Sequence, residues 1–142
     1  MIKVKRQSVV PYSPKQMYDL VNDVNQYQAF VPYCSKSEVL SETENQMLAS
    51  LTFSLGPIQQ TFTTQNTLMP CSRIELLLMS GPFQSLKGYW SFSPAGNGTS
   101  IEMDIEFEMT VSATAWMIKP ILHSTIEQLV DTFTKRAHEV YG

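Results

Sequence analysis

The stretch IEMDIEFEMTVSATAWMIKPILHSTIEQLVDTFTKRAHEV, residues 101–140, changes its period once, and that change decides the fold. Up to Val111 the period is two. Ile101, Met103, Ile105, Phe107, Met109 and Val111 face one way, while Glu102, Asp104, Glu106 and Glu108 face the other. This is a strand with one dry side and one wet side. Further on, Leu122, Ile126, Leu129, Phe133, Ala137 and Val140 recur at helical spacing and form one apolar stripe. Between Thr114 and Val140 such a helix spans roughly 40 Å, and Pro120 near its start is a candidate kink. A one-sided strand and a one-sided helix each need a surface to cover them, and the simplest cover is each other.

Upstream, the period of two persists back to Ser35. In MLASLTFSL, Met47, Ala49, Leu51, Phe53 and Leu55 share a face, with Ser50, Thr52 and Ser54 opposite. Gly56-Pro57 breaks that strand. Ile58, Phe62 and Leu68 mark the next, Ile74, Leu76 and Leu78 another, and Gly81-Pro82 turns the chain. Leu86, Trp90 and Phe92 alternate before Asn97-Gly98, which reads as a two-residue hairpin turn. At the other end, KVKRQSVV (residues 3–10) reads as a first strand. Ser13, Pro14 and Gln16 supply a helix start of the capping-box type, followed by Met17, Leu20, Val21 and Val24 at helical spacing. A second short helix carries Tyr27 and Phe30, and Pro32 ends it. The expected architecture is α+β: a curved antiparallel sheet of about six to seven strands around a long C-terminal helix, with two short helices after strand 1. Residues 1–142 are read as a single domain.

Composition bounds the function. The chain is 43% hydrophobic and 16% charged, with a net charge of −3, which leaves no electrostatic footprint for nucleic acid, and no direct DNA binding is expected. Lys3, Lys5 and Arg6 are read as solvating one strand. Cys34 and Cys71 form no disulfide framework. The start MIKVKRQSVVPYS lacks the apolar run of a signal peptide, so the expected location is cytoplasmic.

No catalytic constellation emerges. The four acids of residues 102–108 alternate with core positions and read as a solvated face. His123 and His138 are too far apart for a one-turn metal pair. Cys34 reads as a small buried hydrophobe, and GNG at 96–98 as a turn rather than a phosphate cradle. No metal and no required cofactor is expected.

What remains is apolar. The segment YQAFVPYC (27–34) is unusually aromatic for a connection between elements, since connections are usually polar. The residues placed to edge a cavity are Tyr27, Phe30, Val31, Pro32, Phe53, Phe62, Phe83, Leu86, Trp90, Phe92, Phe107 and Met109, joined by the helix stripe Leu122, Ile126, Leu129 and Phe133.

Three blocks together resemble a known family. VPYSPKQMYDLVNDVNQYQAFVPYC (10–34), GPFQSLKGYWSFSP (81–94) and IEMDIEFEMTV with the ending FTKRAHEVYG (133–142) are similar to the family that joins ribosome association toxin RatA with the coenzyme Q-binding proteins, in particular its bacterial RatA-type branch. That family lies within the START-like, polyketide-cyclase-like superfamily. The resemblance implies a helix-grip fold with a hydrophobic tunnel and a non-enzymatic role. The implied ligand is ubiquinone or another lipid, and the implied service is to respiration. Tyr27, Tyr33 and Tyr89 are candidate head-group contacts. Transient contact with the inner membrane surface fits that role. The alternative it implies is a toxin that binds the large ribosomal subunit and inhibits translation. A further alternative is a cyclase-like enzyme.

Overall fold

The computed structural model describes residues 1–142. Its strands are β1 (Ile2–Val10), β2 (Cys34–Glu42), β3 (Gln46–Leu55), β4 (Ile58–Met69), β5 (Arg73–Ser80), β6 (Phe83–Ala95) and β7 (Gly98–Met109). They form one antiparallel sheet in the order β1-β7-β6-β5-β4-β3-β2. Strands adjacent in sequence are neighbours from β2 onward, as hairpins require. β1 closes the sheet on β7, so β1 and β2 are opposite edges. Helix α1 (Pro14–Asn22), a 3₁₀ turn (Val24–Gln26) and the single-turn α2 (Tyr27–Phe30) carry the chain from one edge to the other.

The start of α1 follows the sequence. Ser13 Oγ accepts from the backbone N–H of Gln16, the Gln16 side chain accepts from the Ser13 N–H, and Pro14 takes the first helical turn. The outer face of the sheet also follows it. Lys3 and Lys87 flank Glu106 at 4.0 and 3.1 Å, and Lys5 lies 3.7 Å from Glu102. The acids of β7 and the basic group of β1 are thus cross-strand neighbours on a wet face.

Two expectations are corrected. The C-terminal helix is not continuous: α3 (Ala113–Glu127) and α4 (Leu129–Tyr141) meet at Gln128. There the N–H of Gln128 is shared between the carbonyls of Ser124 and Thr125 at 3.2 Å each, a tightened last turn. Pro120 lies inside α3 without interrupting it. The buried stripe runs Ala115, Ile118, Leu122, Ile126 on α3 and Val130, Phe133, Ala137 on α4, and Val140 falls outside it, exposed. The β6–β7 turn is Gly96-Asn97, because Ala95 pairs with Gly98. Only Gly96 has positive φ there, at 59°, as in a turn with glycine in its first central position. Gly98 serves a different need: a Cβ on it would lie 1.9 Å from the Val10 carbonyl oxygen.

α3 and α4 cross the concave face of the sheet, and the core lies between them. Phe107, Phe133, Met17, Ile101, Met103 and Ile118 are among its fully buried members.

Candidate functional site: an apolar cavity with a polar spot

Strands β3 to β7, the short helices and the α3–α4 pair leave a cavity of about 90 Å³. Twenty residues line it, seventeen of them hydrophobic. Of the residues singled out from sequence, Tyr27, Val31, Phe53, Phe62, Leu86, Trp90, Leu122, Ile126, Leu129 and Phe133 are on this wall.

The others lie elsewhere. Pro32 is exposed at the surface. Phe30 is half-buried on the outer side of the helices, edge-on to Tyr27 and Phe133, with the Arg136 guanidinium 4.9 Å above its ring. Phe83 and Phe107 pack edge to face at 5.9 Å, and His123 of α3 closes over Phe107. Met109 pairs across the sheet with Phe83. These three fill the ground between the sheet and α3. Phe92 is sandwiched between Trp90 and Tyr18. Alternation put each of them on the inner face but could not say where that face is filled by neighbours and where it is left open.

The three candidate head-group tyrosines lie in different places. Tyr33 is exposed. Tyr89 is on the outer face, donating to Glu102 at 2.6 Å beneath Arg73. Tyr27 does line the cavity, but its hydroxyl donates to the Val21 carbonyl. Burial raises its pKa far above the ordinary phenol range. It is the only titratable side chain on the wall.

Val21, Val24, Ala49, Leu51, Ile74, Leu76 and Ile105 line the wall too, as do three polar residues, Thr64, Asn66 and Thr125. Sequence reasoning passed over these three. The signal was present on β4, whose inner face runs Phe62, Thr64, Asn66, Leu68: two polar residues where the period asks for apolar ones. Thr64 Oγ1 donates to Asn66 Oδ1 at 2.8 Å.

Residues 10–134 match the family model described as polyketide cyclase/dehydrase and lipid transport. The ribosome association toxin RatA of Pseudomonas aeruginosa is 38% identical over 140 residues, covering 98% of this chain and 97% of that protein. The chain belongs to the RatA-type branch of this family. More distantly, it is 27% identical to the mitochondrial coenzyme Q-binding protein COQ10 homolog B of Xenopus laevis, over 99% of this chain and 60% of that one. Among solved structures, the Zhui aromatase/cyclase of Streptomyces superposes with a TM-score of 0.84 at 14% identity, over 99% of this chain and 96% of that one. That likeness concerns the fold alone, the START-like helix grip that the family resemblance implies.

Proposed function

We propose that this chain binds a neutral hydrophobic ligand, with ubiquinone as the candidate, between the sheet and the α3–α4 pair, and carries it without transforming it. The supporting observation is the wall itself: almost entirely apolar, with no carboxylate, amine, guanidinium, imidazole or thiol on it. Such a wall gains from burying an isoprenoid tail at about 25 cal/mol per Å². Acid–base chemistry would need polar groups with tuned pKa values there, and the one candidate, Tyr27, has its proton committed to Val21. The name of the Xenopus relative adds support for a quinone.

The cavity of about 90 Å³ is smaller than the ~300–1,000 Å³ that encloses drug-sized ligands. A ligand must therefore widen it. The wall built by Val21, Val24, Tyr27 and Val31 stands on short helical elements rather than on the sheet, and it is the part we assign to movement. Trp90 lines the cavity and the other tryptophan, Trp116, is exposed. In a Trp116→Phe background, titration with a short-chain ubiquinone should quench Trp90 saturably. Emission that stays constant up to the solubility limit of the quinone would count against the reading.

A second reading is favoured by the 38% identity to a protein named for ribosome association: the chain binds the large ribosomal subunit and hinders translation. The net charge of −3 then directs contact to a ribosomal protein rather than to RNA phosphates. Co-sedimentation with large subunits at low salt is the expected result, and its absence would end this reading.

A further inference from the structure

We propose that Asn66, held by Thr64 and joined by Thr125, is the hydrogen-bonding subsite for the neutral carbonyl group of the bound ligand. This rests on the ligand-binding reading and adds what the site selects. Asn66 and Thr125 are each 5% exposed and Thr64 8%, so these polar groups are withdrawn from bulk water. A buried amide donor without a partner costs about 1–3 kcal/mol, and buried polar groups in proteins are nearly always paired. Thr64 accounts for the Asn66 carbonyl oxygen. Asn66 and Thr125 both border the cavity, and the hydrogen bond from Thr64 engages the Asn66 oxygen, not its NH₂ group. An amide with its oxygen pinned presents only its two N–H donors, and donors ask for an acceptor.

Position supports the assignment. Asn66 pairs with Met47 on one side and Leu76 on the other, and Leu76 pairs with Gly88, itself opposite Ile105. This row crosses β4, β5, β6 and β7 away from their ends and reaches the β2–β3 hairpin only at Met47. An acceptor bound there is in the interior of the cavity, enclosed by apolar side chains. The wall has no cation, so a carboxylate or phosphate would enter uncompensated at heavy desolvation cost. The chemistry selected is therefore a neutral carbonyl on an apolar body. Quinones and uncharged ester lipids share it, whereas free fatty acids and phospholipid head groups do not.

The test compares wild type, Asn66→Leu combined with Thr64→Val, and Thr125→Val. The double change leaves no orphaned donor, and Thr125→Val keeps the side-chain shape. Three probes are titrated: a short-chain ubiquinone, an uncharged ester with the same isoprenoid tail, and the bare isoprenoid hydrocarbon. The expected result is at least a tenfold loss of carbonyl-ligand affinity in the double variant and a smaller loss in Thr125→Val. Hydrocarbon affinity should stay equal or rise. The stronger of the two carbonyl probes identifies the source. The infrared carbonyl stretch of the bound probe should move to higher frequency in the variants, as a lost hydrogen bond requires. Folded variants that bind quinone and ester as tightly as wild type, with an unmoved carbonyl stretch, overturn the subsite while leaving ligand binding intact. A wild-type protein that binds none of the three probes overturns both.

Discussion

Cys34 shows how burial becomes a measurable property of one residue. It lies at the end of the YQAFVPYC segment, buried, with its thiol directed at the Lys36 carbonyl at 3.5 Å. Burial pushes its pKa up to about 11 from 9.0, partly offset by hydrogen bonding from the Lys36 backbone, which favours the thiolate. The folded protein therefore holds the thiol proton more tightly than the unfolded chain. The associated stability is complete below pH 9 and is lost as pH rises toward 11. Urea midpoints should fall over that window, and Cys34→Ala should remove the portion that begins near pH 9. A midpoint equally steep in the variant would show that the thiol is not the source. The tyrosines with raised pKa values, Tyr18, Tyr27, Tyr89 and Tyr141, act from higher pH because they start from 10.0. The same segment answers why a connection is so apolar. Val31 and Cys34 are buried and Tyr27 meets the cavity, while Pro32 and Tyr33 face solvent. Half of it is wall and half is surface, a division that its composition alone could not draw.

Among elements, the turns and the cavity-facing strands make different predictions. At Gly96 a side chain would face open space but a left-handed backbone, costing about 1–2 kcal/mol. At Gly98 it would meet the fixed carbonyl of Val10 and the Cα of Pro11, so overpacking costs about 1–3 kcal/mol or more. Gly98→Ala should thus lower the urea midpoint more than Gly96→Ala; the reverse order would contradict the turn assignment. On β3, Ala49 is buried on the cavity wall. Filling a void of about 90 Å³ recovers up to ~2 kcal/mol at roughly 24 cal/mol per Å³. Ala49→Leu should therefore raise stability and abolish quinone binding, whereas lower stability with binding retained would mean that the void lies elsewhere. The strands and α1 were legible because period and caps are local properties. The interruption at Gln128 was not, because it depends on a shared hydrogen bond in the last turn of α3 and not on a breaker residue. The polar pair Thr64 and Asn66 was legible as a defect in alternation, but its meaning needed the neighbouring strands.

For the whole molecule, one end collects the starts of β1, β2, β4, β6 and α3. Met1, Tyr33, Leu55, Met79, Val111, Trp116 and Met117 are all exposed there, and Lys119 lies over the Trp116 ring at 4.4 Å. Aromatic and apolar side chains beside a lysine suit a membrane interface. No helix is long and apolar enough to cross a membrane, so any such contact through helices is peripheral. Val111→Asp with Trp116→Asp should reduce co-flotation with anionic vesicles several-fold and leave quinone affinity in detergent unchanged. Undiminished flotation would remove this end from the account. The global pattern, one sheet gripping one helical stripe, could be read from residues 101–140. Which parts of the grip stay open could not, because openness is set by how side chains from seven strands and four helices meet in space.

The central claim is that the cavity holds a neutral apolar ligand. The most direct test is organic extraction of gently purified protein from quinone-producing cells, followed by mass spectrometry. Near-stoichiometric ubiquinone, absent from Ala49→Leu protein purified alongside, is the predicted result. An extract of the wild-type protein with no more quinone than the variant would contradict the claim.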